Sequence, residues 1–444
     1  MTIKTNIILS AFLALILLVN GAYLWTAIGL GLALFYTLKV IDRMGQRIPI
    51  VDLMTAMAAL QWIVGPAIDY YNEAYHYKYH MYVEEMVYMS FVVPAIIVFR
   101  IGTLMFKDHS SLEDIGNRVS ILLGDYPKLP YYFIVIGLLI PYFSGFLPAS
   151  LSFVFFLLAN IKYIGVIYLL FSGKPNRWPI FWATMAFTAV VSIAAGMFHD
   201  LLLWAMLSFT FVARELKLTF INKLGVAVLG IFFAVTIQSV KAQYREMVWK
   251  QGYSGNKVAL FLGLATSQWS DGSILTPSTE EDMNVRLNQG WIISAVMKNT
   301  NEKESFAGGA TIWEGIESSL LPRFLAPNKK KAGGREHFRL FTGLEIDDNT
   351  SMGISIVGEG YANYGYWGGI FFMFFWGVFI SWFWKKLEDW SSFYPTLLIW
   401  SPILFLQVVK AETEFAVVLN HLIKASVLVF GLLWFIKRQW GIRI

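Results

Sequence analysis

The sequence predicts an all-α polytopic membrane protein of about twelve transmembrane helices (10–12), with one large, mostly helical external loop between the ninth and tenth. Three observations carry this. Of 444 residues, 57% are hydrophobic and only 15% charged, whereas an ordinary soluble domain carries about a quarter charged residues. Apolar runs near the length a helix needs to cross a bilayer recur along the chain. The short connections between those runs alternate between basic and acidic.

Taken in order, Ile7–Val19 and Ala22–Lys39 are apolar runs joined at Asn20-Gly21, a turn dipeptide, and their shortness leaves open a tight hairpin or one broken helix. Lys4 ahead of the first run resembles the start of a signal peptide, but the second run follows at once, which reads as a retained first span. Val51–Ile68, Met86–Phe106, Leu129–Phe143, Leu151–Phe171, Trp178–Met197, Leu201–Ala213 and Leu224–Val240 come next. A long polar stretch, Lys241–Gly369, then interrupts the pattern before Tyr366–Trp384, Phe393–Val409 and Phe415–Ile436.

Loop charge orients these spans. With the N-terminus inside, the inner connections hold Lys39, Arg43 and Arg47; Arg100, Lys107, Arg118 and Lys128; Lys174 and Arg177; Arg214, Lys217 and Lys223; Lys385 and Lys386; and the tail Lys437, Arg438 and Arg443. The outer connections are short or acidic, with Asp69, Glu73, Asp200, Glu412 and Glu414. The bias toward positive inner loops therefore places both termini inside and the polar stretch outside. The layout is one integrated membrane domain: an N-terminal bundle over 1–240, an external loop over 241–365 and C-terminal helices over 366–444. The net charge of +5 reflects these inner loops, so nucleic acid is not an expected partner. The chain has no cysteine, which excludes disulfides, thiolate metal sites and cysteine nucleophiles. Its two halves show no repeat, which counts against a transporter built from repeats.

The external stretch up to Gly365 holds thirteen Lys or Arg and fourteen Asp or Glu, so it is nearly neutral but segregated. Glu280-Glu281-Asp282 is acidic; Arg323, Lys329-Lys330-Lys331, Arg335 and Arg339 form a basic cluster opposed only by Glu336. Arginine forks suit phosphate oxygens through bidentate bonds, while the lysine triplet fits a solvated basic loop near anionic headgroups. Ile312, Trp313, Ile316 and Leu320 recur at helical spacing, which predicts a helix over Thr311–Leu321 ended by Pro322 and positions Arg323 just beyond it. Val258–Leu264 is apolar but too short to span, so it dips into the interface or packs beneath the loop. The loop is thus expected to fold onto the membrane domain. Gly365 and Gly369 make a small-xxx-small spacing that allows close helix approach. Glu359, between two glycines at the edge of an apolar stretch, needs a polar cavity or an arginine; a general base and a structural partner of an arginine are both open readings.

Three stretches resemble the bacterial oligosaccharide repeat-unit polymerases of O-antigen polymerase (Wzy) type. Gly358-Glu359-Gly360-Tyr361-Ala362-Asn363-Tyr364-Gly365, with Gly368, resembles their Gly-Glu-x-Tyr-x-Asn-Phe/Tyr-Gly pattern entering a late span. Leu321-Pro322-Arg323-Phe324 through Pro327 and Lys329 resembles their Pro-Arg-x-x-x-Pro-x-Lys stretch, and Tyr244-Arg245 their external arginine. These motifs lie within a stretch, Tyr244 to Gly368, that makes up about a quarter of the chain. One departure is that Gly196 is followed by Met197, Phe198, His199 and Asp200, where the family often carries Gly-x-Arg. The resemblance implies a glycosyltransferase of the bacterial inner membrane, working on its outer face on undecaprenyl-diphosphate-linked oligosaccharides. It also implies membrane lipid and a chain-length-regulating co-polymerase as partners. Arg245, Arg286, Arg323, Lys329 and Arg339 would then bind the leaving diphosphate. Glu359, preferred, or His337 would take the acceptor's proton, and Tyr361 and Asn363 would contact glycan.

Other constellations are weaker. Tyr70, Tyr71, Tyr75, Tyr77, Tyr79 and Tyr82 suit either an interfacial aromatic belt or sugar recognition, with Tyr75 and Tyr79 the glycan candidates. Glu73, His76 and His80 have metal-compatible spacing but no fourth ligand. No Asp-x-Asp pair stands in a first external loop, Glu345 and Asp347 being the nearest substitute, so no metal or other cofactor is expected. Lys162, His421 and Lys424 are ionisable groups within spans, lining a lipid-diphosphate path or pairing with Glu412 or Glu414. An O-antigen ligase needs the same groups as a polymerase. A lipid-linked oligosaccharide flippase is the reading of a different class, and the long outer loop speaks against it.

Overall fold

The computed structural model describes residues 3–72, 78–143, 151–272, 287–320, 334–347 and 351–444. The described residues are all-helical, without a β-strand. Eight helices are long and apolar enough to cross a membrane. With the shorter elements, the order is α1 (Ile3–Val19), α2 (Leu24–Arg43), α3 (Ile50–Asn72), α4 (Glu85–Thr103), α5 (Leu112–Asp125), α6 (Leu129–Phe143), α7 (Ser152–Phe171), α8 (Arg177–Ala195), α9 (His199–Glu215) and α10 (Phe220–Lys250). The second half holds α11 (Lys257–Ser270), α12 (Gly290–Glu302), α13 (Ala310–Leu320), α14 (Arg335–Thr342), α15 (Ile356–Trp390), α16 (Ser401–Phe405) and α17 (Phe415–Trp440).

The centre of the bundle is the parallel pair α4 and α15. A methyl group on Gly377 would overlap the Phe99 carbonyl oxygen, and one on Gly102 would overlap that of Phe374. Only glycine lets these two backbones touch, the close packing that replaces hydrophobic driving force inside a membrane. Near the other end of the pair, Tyr366 donates to the Ser90 carbonyl at 2.6 Å.

The connection between α15 and α17 departs from expectation. The two helices start side by side, where the Phe415 N–H donates to Glu359 at 2.7 Å, and meet again where Trp390 packs on Phe430 at 4.7 Å. They run parallel, so residues 391–414 must return across the bundle. The sequence reads a transmembrane helix there, over Phe393–Val409. The structure has a 3₁₀ turn at Leu397–Trp400 and the five-residue α16. Every residue from Leu397 to Leu406 is buried, the condition under which irregular backbone is tolerated at membrane depth. His421 of α17 donates from Nε2 to the Ile403 carbonyl at 2.9 Å, and Tyr168 hydrogen-bonds both Thr396 and Trp400. His421 therefore holds this broken strand of chain and pairs with neither Glu412 nor Glu414. Lys162 donates to its own helix, at the Ala159 carbonyl, and lies 4.7 Å over the Tyr163 ring; Lys424 lies 5.3 Å over Phe153.

The long loop is woven into the bundle. In α12 everything from Gly290 to Met297 is buried, an element that no periodicity in the sequence singled out. Its entry uses a defect in α3. The π turn at Leu60–Val64 and Pro66, which has no N–H, free carbonyls there; Gln61 O accepts from Gln289 N at 3.0 Å and Trp62 O from Tyr88 at 2.9 Å. Helix α13 forms where expected, but only Ile312 and Ile316 of its apolar stripe pack inward. Thr311, Gly315 and Ser319 are buried, while Trp313 is 67% and Leu320 62% exposed. The small residues form a four-residue ridge that lets α13 lie directly on Phe415 and Ala416 of α17. The Val258–Leu264 run lies in α11, which packs on α10 through Phe261 and Ala265 and also touches α8.

Candidate functional site

The stretch that carries the family resemblance forms a single compact unit. Helix α15 breaks at Gly365, whose φ of 68° and ψ of −161° are open to glycine alone. The chain turns there so sharply that Gly360 comes against Gly369. Gly365 is thus a corner, where the sequence reading had it as a helix-packing position. Gly369 does pack closely, against Phe91 of α4. The nine residues before the corner bury almost every side chain, Glu359 among them at 0% exposure. Ser355 starts the unit at φ 64° and ψ 156°, a region that costs a non-glycine residue of order 1–3 kcal/mol. Its buried hydroxyl has no partner among the described residues.

Glu359 is held by two donors. Thr311 Oγ1 donates to Oε1 at 2.7 Å and the Phe415 N–H to Oε2 at 2.7 Å. Acceptor-only oxygens suit both, and no arginine pairs with Glu359 among the described residues. Asn363, one turn on, spans the gap to the loop. Its Nδ2 donates to Thr311 Oγ1 at 2.7 Å and to the Glu359 carbonyl at 2.8 Å, and its Oδ1 accepts from Gly309 N at 3.1 Å. Tyr361 accepts from Asn301 of α12 at 2.8 Å. One turn of α15 thereby ties together α12, α13 and α17.

Beside this unit stands His337, on the amphipathic helix α14. Its Nδ1 is 3.3 Å from Glu414 Oε2 and its Nε2 is 3.7 Å from Glu314 Oε2. A carboxylate can only accept, so the proton on Nδ1 faces Glu414 and leaves Nε2 on the side of the partly exposed Glu314. Glu414 is fixed in turn by the Gly334 N–H at 3.0 Å. Burial disfavours the charged imidazole, but the hydrogen bond and charge of Glu414, with Glu359 and Glu314 behind, outweigh it and hold the His337 pKa above its ordinary 6.5. The His337 side chain is 12% exposed and that of Glu314 42%, so the pair reaches the surface where Glu359 does not.

Residues 410–414 join this cluster to a second one. Glu412 lies 3.7 Å from His199 and Lys410 pairs with Asp200 at 3.2 Å. Nearby, Arg245 donates from Nε to the Gly196 carbonyl at 2.9 Å and its guanidinium lies 4.4 Å over Trp249. Residues 410–414 thus form a polar strip of chain that contacts His199 and Asp200 toward one end and His337 at the other. Arg339, two residues from His337, is tied to the Ile346 carbonyl at 2.6 Å and to Glu345 at 3.0 Å.

The structure thus gathers Glu359, Asn363, Tyr361 and His337, sets Arg339 on the same helix as His337 and leaves Arg245 on the Gly196 carbonyl. Tyr79 packs on Trp291, ring centroids 5.0 Å apart. Arg286, Arg323, Lys329 and Tyr75 lie outside the described residues, as do Glu73 and His76. Thr311, Glu314 and Glu414 were not singled out as site residues. Glu414 carried a sequence signal, as one of the acidic residues in an outer connection. Among the described residues no group of three or more His, Asp or Glu is arranged to hold a metal ion. No protein-family model, curated protein or solved structure matches the chain.

Proposed function

We propose that the protein is a membrane glycosyltransferase that joins oligosaccharide repeat units carried on undecaprenyl diphosphate, at the outer face of a bacterial inner membrane. The observation that carries the reading is the assembly of the Glu359–Gly365 motif, α13 and His337 into one network at the mouth of the bundle. On this proposal the eight long helices, the shorter α1, α6 and α9, and the return of residues 391–414 would serve as twelve crossings, with the long loop between the ninth and tenth.

In this reading the bond between the donor's anomeric carbon and the diphosphate oxygen breaks, and the acceptor hydroxyl oxygen takes its place. His337 Nε2 accepts the hydroxyl proton, with Glu414 fixing the ring, as a base must be reachable and oriented. Glu359 has both oxygens engaged, so its part is to position α13 and α17 around the site. Arg245 and Arg339 suit the departing diphosphate.

The test uses cells that make the glycan, with their own copy replaced by His337→Gln. Single repeat units on outward-facing carrier support the reading. Units trapped on the inner leaflet would sink it in favour of a flippase. Complete chains left on the carrier, unattached to their final acceptor, would point to a ligase.

A further inference from the structure

At the opposite end of the bundle Asp52, in the first turn of α3, is 3% exposed. Three cations converge on it. Lys39 lies 3.0 Å and Arg100 3.2 Å from Oδ1, and Arg43 lies 2.5 Å from Oδ2. The Arg100 guanidinium and the Lys39 ammonium also lie over the Tyr36 ring, at 5.1 and 5.4 Å. Asp52 is the one carboxylate that pairs with the three among the described residues, so the corner carries a formal surplus of two positive charges.

Helix ends do not remove that surplus. Arg43 and Arg100 sit in the last turns of α2 and α4 and Asp52 in the first turn of α3. Two C-termini against one N-terminus return only about half a negative charge. A second observation points the same way: the Nε–H of Arg100 is buried with no acceptor among the described residues. Buried cations are ordinarily paired and buried N–H groups bonded. The Arg43 side chain, 30% exposed, opens the corner to the surface.

We propose that this corner binds a phosphate group, carried by an anionic lipid headgroup or free in solution. An arginine fork matches phosphate oxygens, and basic pockets between helices are where anionic headgroups seat. The bound phosphate would supply the acceptor that Arg100 lacks and offset the surplus charge.

The purified full chain, in discs of phosphatidylcholine alone or mixed with phosphatidylglycerol, is followed by thermal unfolding. Phosphatidylglycerol should raise the midpoint by about 3 °C or more. Arg43→Gln should lose most of that rise while Arg438→Gln, at another exposed basic position, keeps it. Inorganic phosphate added to phosphatidylcholine discs at matched ionic strength separates the sources, since a rise there assigns the site to free phosphate. Arg100→Gln should also lose the rise; if it does not fold, Arg43→Gln alone decides. No rise with either phosphate source overturns the proposal. So does a rise that survives Arg43→Gln, or one that Arg438→Gln lowers equally.

Discussion

At the Glu359 end, Glu314, Glu359 and Glu414 surround one imidazole; at the Asp52 end, Lys39, Arg43 and Arg100 surround one carboxylate. The first end is closed by the chain itself. The Phe415 and Gly334 N–H groups and the Thr311 hydroxyl donate to its two buried carboxylates, Glu359 and Glu414. The second has more cations than carboxylates paired with them among the described residues. A buried charge met by neutral donors can be built into a rigid scaffold, whereas a surplus of one sign asks for a partner from outside. That contrast separates an end whose buried carboxylates are met by the chain's own donors from one that calls for an anion from outside.

Breaking each end in turn measures the difference. Asp52→Ala should have the largest effect, because it leaves three clustered cations with no counter-charge; about 3–5 kcal/mol of stability should be lost. Unfolding in mild detergent would show it, and a loss below 1 kcal/mol would mean that the cations relax into solvent. Glu359→Ala should cost less, about 2–4 kcal/mol, because it strands two neutral donors, each worth roughly 1–3. Thr311→Val should be milder again and less than additive with Glu359→Ala, since the two share one interaction while Thr311 alone also accepts from Asn363.

A smaller effect tests the charge of His337. Its pKa is raised in the folded state, so its stabilising contribution is full below about 6.5 and is lost as pH rises through the raised value. Chain lengthening should move the opposite way, since a base must be neutral to accept a proton. The wild type should therefore gain activity and lose some stability over the same pH window, and His337→Gln should flatten the stability change. The smallest effect belongs to Ser355→Gly. Relief of the backbone strain offsets the added freedom of the unfolded chain, so stability should stay level or rise by about 1 kcal/mol. A clear loss would show that the hydroxyl matters more than the backbone.

Much of the bundle was legible because span length and loop charge are local properties of the chain. What hydropathy could not show is where an apolar stretch stops being a regular helix. Residues 397–406 are as apolar as their neighbours, and only full burial by α7, α15 and α17 lets them break. Nor could periodicity show that α13 turns Thr311, Gly315 and Ser319 inward. In a membrane, close approach rewards small residues and leaves Trp313 and Leu320 facing out. At the site, Glu359, Tyr361 and Asn363 were legible as a motif because one helical turn holds all three. Glu414 and Thr311 reach Glu359 and His337 only through tertiary contacts across tens of residues, so no local pattern joins them.

The account rests on dividing labour between a sealed Glu359 and a reachable His337. The most direct measurement compares the lengths of lipid-linked glycans in cells carrying His337→Gln or Glu359→Gln, with unfolding of each purified variant alongside. Above the raised His337 pKa, where the imidazole is neutral, His337→Gln should keep most of its stability and cut chain lengthening by about 100-fold or more. Glu359→Gln keeps an acceptor for Phe415 but faces an amide to Thr311, so it should lose stability first and activity only in proportion. A Glu359→Gln protein as stable as the wild type that makes no chains, beside a His337→Gln protein that makes them normally, would contradict it.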